Sequence, residues 1–261
     1  MKFIEQLNRK NKLLAYLGTF FLFIAVVLSI YAIVNPKQIL GINSMIKPIK
    51  FALSTWIYGW TLAYLLFYVN NQNKVKWFSI LAVVTMVYEN GIVIIQAFRG
   101  KLSHFNQTDL IGGILYGLMG IMIVWVSSAT LVLAIRFIRQ KTYSISYPFA
   151  LSIKIGLILF VFFSFFGGYM SAINSHNVGG EIGKVGLPLI NWSTLFGDLR
   201  VAHFFGIHSL QVIPLIGYYL SKNISDEAKA SKIIWIISIL YFSFVCFTTF
   251  QAIQGLPFVK I

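Results

Sequence analysis

Long, uninterrupted apolar stretches constrain the fold of this chain more than any other feature. The hydrocarbon core of a bilayer is ~30 Å thick, so a helix of about 20 apolar residues, rising 1.5 Å per residue, crosses it. Seven stretches of the 261-residue sequence reach this length, near residues 13–34, 50–69, 77–98, 111–135, 147–170, 201–220 and 232–254. We therefore predict an all-α fold, with residues 1–261 forming a single integral membrane domain built as a polytopic seven-transmembrane-helix bundle.

The composition supports this class of protein. Hydrophobic residues make up 58% of the chain and charged residues 11%, whereas a soluble domain is about one quarter charged. The net charge of +14 does not indicate nucleic-acid binding, because the basic residues lie at segment ends, where they contact lipid headgroups. The lipid bilayer is the predicted partner, and the sequence gives no oligomeric state. A single cysteine, Cys246, excludes an intramolecular disulfide and a cysteine-based zinc site.

The distribution of lysine and arginine predicts the orientation. Twelve of these residues fall on the side of the N-terminus and eight on the other side, which favours an N-inside, C-outside protein of the cell (inner) membrane. All four histidines then belong to the outer loops or to the outer part of the sixth predicted helix. These are His104, His176, His203 and His208. A site built from them opens to the extracytoplasmic side.

A faint internal similarity links the third and seventh predicted helices. One ends in Gln96-Ala-Phe-Arg-Gly100 and the other in Gln251-Ala-Ile-Gln-Gly255, and the helix before each begins with basic residues. This pattern predicts two parallel three-helix repeats, joined by the fourth helix and related by an axis along the membrane normal.

The segment Gly197–Gln211 places an acid, an arginine, two histidines and a glutamine at the start of the sixth predicted helix. Charged groups cost roughly 2.5–3.5 kcal/mol each near the bilayer centre, so several in one place indicate a site. His203 and His208 are five residues apart, which separates them by about 140° on a regular helix. Either a π-bulge near Gly206 brings the two histidines together, or they face different partners.

A second polar stripe follows the third predicted helix, where Thr85, Glu89 and Gln96 share one face. Glu89 lies near the predicted midplane, and an acid at that depth is a functional-site hypothesis by default. The structural alternative is an acid hydrogen-bonded to a neighbouring helix. The second predicted helix adds Lys47 and Lys50, the first of which also suits an interfacial anchor.

The motifs Ser103-His-Phe-Asn106, Gly197–Gln211 and Lys47-Pro-Ile-Lys-Phe-Ala52 resemble those of bacterial multi-pass membrane proteins to which we can attach no activity. The resemblance covers most of the chain and implies a multi-pass membrane fold. It supplies no activity that could be assigned to this chain. The seven-helix hydrolases of the alkaline ceramidase and adiponectin receptor group carry a His-x-x-x-His in the last helix. The last predicted helix here has no histidine.

Our first hypothesis is a histidine-ligated transition metal ion or haem, in a redox or hydrolytic protein, because imidazole binds zinc, copper and iron. Whether the chain is an enzyme is left open. The candidate ligands are His203, His208, His104 and His176. Glu89 and Asp198 are the candidate catalytic groups, and the candidate groups for holding a cofactor or small-molecule substrate are Lys50, Arg200, Gln96 and Gln211.

Two alternatives use the same residues. In the first, the chain is a proton-coupled transporter of a small solute, with Glu89 as the proton carrier. In the second, it is a pH-sensing or partner-binding membrane protein, in which outer histidines titrate near pH ~6–7.

Overall fold

A computed structural model describes residues 2–106, 110–181, 183 and 186–260. Over these residues the fold is all-α, with two small strand pairs in the connections. The helices are α1 (Lys2–Lys10), α2 (Lys12–Val34), α3 (Ile46–Leu65), α4 (Gln72–Arg99), α5 (Leu110–Ile138), α6 (Tyr147–Ala172), α7 (Leu199–Asn223) and α8 (Glu227–Ile253). The strands are β1 (Gln38–Ile39), β2 (Ile42–Asn43), β3 (Asn177–Val178) and β4 (Gly197–Asp198).

Six helices in the described part of the chain are long and apolar enough to cross a membrane. They are α2, α4, α5, α6, α7 and α8, and they identify a multi-pass helical membrane protein. The seventh predicted span, near 50–69, corresponds to α3, which is not among the six. It has 20 residues and begins earlier than predicted, because Pro48 fits the first turn of a helix. The short helix α1 was not predicted.

Side-chain caps fix where several helices begin. The side chain of Asn11 accepts a hydrogen bond from the backbone N–H three residues later at the start of α2, and Asn71 does the same at the start of α4. Asp226 accepts from two backbone N–H groups at the start of α8. These caps satisfy donors that the first turn of a helix leaves without a partner.

The chain divides into two compact units, Met1–Val126 and Ser127–Ile261. In the first unit α2, α3 and α4 pack against one another in all three pairs, and in the second unit α6, α7 and α8 do the same. Within each unit the connection from the first to the second of these helices carries an antiparallel strand pair, β1–β2 or β3–β4.

The third helix of each unit ends in the same way. Gly100 after α4 and Gly255 after α8 have φ angles of 71° and 73°, a left-handed conformation that glycine adopts without steric cost. The next backbone N–H donates to the carbonyl of Gln96 at 2.9 Å, or of Gln251 at 3.1 Å. Each glutamine side chain donates from Nε2 to the carbonyl six residues later, at 3.4 Å and 2.8 Å. The Gln-Ala-x-x-Gly similarity therefore encodes one helix-ending motif used twice.

Within the first unit, α2 and α3 approach closely at glycine. A Cβ atom added to Gly59 on α3 would lie 2.8 Å from the carbonyl oxygen of Leu14 and 3.0 Å from the backbone nitrogen of Gly18 on α2. Backbone atoms cannot move aside as a flexible side chain does. The backbones of α2 and α3 are therefore in direct contact here, a close approach that small residues permit between membrane helices.

We expect Gly59→Ala to destabilise the first unit, because the new methyl group meets α2 backbone. Overpacking of this kind costs about 1–3 kcal/mol. Gly91→Ala on α4 is the matched control, since a Cβ there meets nothing within 4 Å and alanine is the better helix former by about 1 kcal/mol. Thermal unfolding in detergent, followed by tryptophan fluorescence, measures both. Equal melting temperatures for the two variants would contradict the packing argument.

Candidate functional site

The first unit buries a carboxyl group inside α4. Glu89 is 3% exposed and lies about 15 Å from the end of this helix at 1.5 Å per residue. Its Oε1 atom has no hydrogen-bond partner among the described residues. Thr85 and Gln96, which share the Glu89 face as predicted, are also buried. An acid with an unsatisfied oxygen is unusual, since buried polar groups in proteins are nearly always paired.

The neighbour of Glu89 joins α4 to α3. The Asn90 side chain donates from Nδ2 to Thr55 Oγ1 on α3 and to the Met86 carbonyl, both at 2.8 Å. The Met86 carbonyl oxygen can only accept a hydrogen bond, so the Asn90 atom that faces it must be the donor Nδ2, which fixes the orientation of the Asn90 amide. The sequence analysis did not identify the hydrogen bond between Asn90 and Thr55. An asparagine within a long apolar stretch does indicate that a partner lies on another helix.

Lys47 links Glu89 electrostatically to the connection after α4. Its ammonium group is near enough for its charge to act on both the Glu89 carboxyl and the His104 imidazole. The Nζ atom lies 5.8 Å from the centre of the Phe51 ring, one turn further along α3. Lys50, predicted to hold a cofactor, is half-buried on α3, one turn after Lys47.

His104 is packed by aromatic rings within the first unit. Its ring centre lies 5.4 Å from that of Phe51 and 5.7 Å from that of Tyr116 on α5, and Nδ1 is 3.2 Å from the Ser103 hydroxyl. Burial, together with the charge of Lys47, holds the pKa of His104 well below its ordinary value. The imidazole is therefore neutral at physiological pH, which does not favour His104 as a sensor near pH ~6–7.

Gln96, another predicted cofactor-binding residue, is engaged at the end of α4. Its Oε1 accepts from Arg99 Nη1 at 3.0 Å, and its Nε2 makes the helix-ending bond described above. Both ends of the amide are thus occupied within the described first unit. Its binding role stays a prediction.

In the second unit, Asp198 is the centre of a hydrogen-bonded cluster just before α7. Its side chain is 0% exposed and accepts from the backbone N–H groups of Ser193 and Arg200 at 2.9 and 3.0 Å. The Arg200 guanidinium donates to it through Nε at 2.9 Å and Nη2 at 2.6 Å. His176 Nδ1 lies 3.7 Å from Asp198 Oδ1. Asp198 therefore caps α7 and fastens the connection before it.

The surroundings of Asp198 keep it ionised. Burial alone would raise its pKa, but hydrogen bonds and charge from Arg200, the His176 imidazole and the Ser193 amide outweigh burial and lower it. Arg200 also donates from Nη2 to the Asn191 carbonyl at 2.5 Å. The structure thus brings together three predicted site residues, His176, Asp198 and Arg200, in an arrangement that serves packing. Catalysis by Asp198 stays a prediction.

The two histidines of α7 face different partners. Every residue from Leu199 to Asn223 is α-helical, so the side chains stay about 140° apart. His203 Nδ1 donates to the Phe163 carbonyl on α6 at 2.8 Å, while His208 Nδ1 donates to Gln211 Oε1 at 3.0 Å. The second of the two arrangements considered from the sequence is the one observed.

Metal-binding side chains do not gather in the described residues. No group of three or more His, Cys, Asp or Glu side chains there could hold a metal ion. His104 belongs to the first unit, and the other three candidate ligands belong to the second. His176 is engaged with Asn177 Oδ1 at 2.8 Å. Within the described residues, each candidate histidine therefore lacks the further ligands that a metal site requires.

Comparison with known proteins assigns no family. No family model matches the chain, and no curated protein or solved structure matches it.

We expect Asp198→Asn to destabilise the second unit by about 1–3 kcal/mol, because Arg200 loses its charged acceptor. The lowered pKa of Asp198 means that its ionised form stabilises the fold. This contribution is full above the ordinary aspartate pKa of about 3.9 and is lost as the pH falls through the lowered value. Denaturation midpoints between neutral and acidic pH measure it.

Asp226→Asn is the control for this substitution, since Asp226 also caps a helix but is exposed. Its loss should be smaller, about 1 kcal/mol or less. A wild-type acid dependence that survives unchanged in Asp198→Asn would contradict the assignment of the cluster.

Proposed function

We propose that the chain is a proton-coupled transporter of a small solute, in which Glu89 carries the proton. The observation that carries this proposal is the buried Glu89 carboxyl in the middle of a long apolar helix, with one oxygen unsatisfied in the described structure. A purely structural acid at this depth gains its stability from a complete set of hydrogen bonds. An incomplete set favours a group that changes partners, as a proton carrier must.

The charges near Glu89 favour a small anionic solute. The positive charge of Lys47 acts on both the Glu89 carboxyl and the His104 imidazole. The net charge of the Lys47–Glu89 pair therefore changes each time Glu89 gains or loses a proton. Protonation of Glu89 removes a negative charge near Lys47, which makes the surroundings of Lys47 more favourable to an anion. When Glu89 is ionised, it competes with that anion. Proton and anion binding then favour each other, which is the requirement for moving them together.

The topology that this mechanism requires has seven spans, with the N-terminus inside and the C-terminus outside. We infer that α3 is the seventh, because its 20 residues extend about 30 Å and it packs between α2 and α4, both apolar spans. We also propose that the two units are three-helix repeats joined by α5. The shared packing pattern, the strand pairs and the matching ends of α4 and α8 support this.

A metal- or haem-binding function is the second candidate, favoured by one observation. His203 donates its Nδ1–H to a backbone carbonyl, which leaves Nε2 with a free lone pair, as in most metal-ligating histidines. If this candidate holds, purified protein contains stoichiometric iron, copper or zinc, or a haem absorption band, which His203→Ala removes. Elemental analysis and an absorption spectrum measure this, and metal-free, colourless protein would eliminate the candidate.

The transport proposal is tested with Glu89→Gln in liposomes. An imposed pH gradient should drive uptake of the transported member of a radiolabelled panel of small carboxylates and amino acids in the wild type. In Glu89→Gln we expect at least about a tenfold loss of gradient-driven uptake, because glutamine keeps the shape and cannot exchange a proton. Entrapped pH-sensitive dye follows the accompanying proton.

Glu227→Gln is the matched control, since Glu227 is exposed in the first turn of α8. It should transport as the wild type does. Gradient-driven uptake of the same size in Glu89→Gln and wild type would overturn Glu89 as the proton carrier.

A further inference from the structure

Four side chains of α4 have a buried polar atom without a hydrogen-bond partner among the described residues, and one of them lies one turn from Glu89. The four are Thr85, Tyr88, Glu89 and Asn90. Thr85 is 0% exposed, and its hydroxyl oxygen has no hydrogen-bond partner among the described residues. Residues four apart on a helix lie on the same face, with Cβ atoms about 5–6 Å apart. Thr85 Oγ1 and Glu89 Oε1 are therefore two unsatisfied polar atoms on one buried face.

The free hydroxyl of Thr85 is unusual in this protein. Hydroxyl groups in helices usually donate to the carbonyl one turn back, and six in the described long helices donate to the residue four positions back at 2.7–2.9 Å. They are Thr19, Ser29, Ser79, Ser164, Ser231 and Thr249. The Thr85 hydroxyl makes no such bond, so it is available to a partner outside its own backbone.

Polar groups continue from Thr85 toward the beginning of α4. Ser79 is buried and accepts a hydrogen bond from Asn11 Nδ2 at 2.8 Å. The side-chain oxygen of Asn8, in α1, is buried and unsatisfied within the described residues. Buried polar side chains of α4 therefore lie on both sides of Thr85 along the chain.

We propose that Thr85 and Glu89 bind a water molecule between them, and that this water exchanges the proton with Glu89. A water molecule bound between two buried polar atoms on one helix face gives each of them the hydrogen bond that it lacks within the described residues. The inference deepens the proposed function, on which it rests, by assigning Thr85 as the positioning residue on one side of the carrier.

The proton transfer is balanced within this group. As Glu89 releases its proton, the carboxyl O–H bond breaks and a new O–H bond forms on the bound water, which carries the proton away as hydronium when it exchanges with bulk water. The reverse order returns a proton to Glu89, so no bond is left broken and no other reactant is used. Lys47 on α3 and Tyr88 on α4 interact electrostatically with Glu89, and His104 after α4 interacts with Lys47.

Infrared difference spectra between acidic and alkaline pH, recorded on the full chain in liposomes, test the proposal. The carboxyl band that Glu89→Gln removes belongs to Glu89. We expect Thr85→Val to shift this band to higher wavenumber, because the carbonyl loses a hydrogen bond, and to slow proton uptake after a pH jump by about tenfold or more. Thr85→Ser, which keeps the hydroxyl, should behave as the wild type.

Thr249→Val is the matched control, since that hydroxyl is bonded to its own helix, and it should change neither measurement. An unchanged band and rate in Thr85→Val would overturn the proposal. If Thr85→Val does not fold by circular dichroism, the wild type decides: a water O–H band in its spectrum should shift in heavy-oxygen water and vanish in Glu89→Gln, and its absence would overturn the proposal.

The outcomes for the two proposals are distinguishable. A Glu89 band that titrates and responds to Thr85→Val, in liposomes that take up no solute of the panel, supports the bound water and counts against transport. A transport activity that depends on Glu89 but is indifferent to Thr85→Val supports transport and overturns the bound water. A spectrum without any titrating Glu89 band overturns both.

Discussion

Lipid offers no hydrogen bonds, and this single constraint explains where the polar side chains of the protein lie. Each polar group carried into a long apolar helix must find its partner in the protein. Asn90 bonds to Thr55 across α3 and α4, and His203 bonds to the Phe163 carbonyl across α7 and α6. These bonds hold helices together where hydrophobic burial cannot, because lipid tails are as apolar as leucine. Glu89 and Thr85 lie one turn apart on α4, and each has a buried polar atom without a hydrogen-bond partner among the described residues.

The two units meet the same constraint with the same local solutions. Each packs three helices pairwise, and each ends its third helix with a left-handed glycine and a glutamine that bonds to the chain beyond it. Their polar interiors differ. The first unit buries an acid in its third helix, whereas the second concentrates its charged groups at the beginning of its second helix, around Asp198. The two units therefore share a framework of three packed helices and differ in their polar interiors.

Local patterns in the sequence predicted the helices well, because apolar length and end motifs depend on neighbouring residues alone. The Gln-Ala-x-x-Gly endings and the Glu89 stripe belong to this class. The partners of the polar residues could not be predicted in this way. Periodicity does not predict the hydrogen bonds by which Asp198 caps α7. It does not predict the role of Thr55 either, because that role depends on which face of α3 meets α4. Pairing between helices is set by three-dimensional packing, which periodicity does not specify.

The division of the chain within α5 has a consequence for its biosynthesis. The first unit is compact within itself and ends at Val126, so α2, α3 and α4 are synthesised before any of the second unit. At about 5–20 residues per second, a ribosome needs roughly 7–27 seconds to complete the second unit. We expect α2, α3 and α4 to assemble during that interval, so that Glu89 is enclosed before the chain is finished.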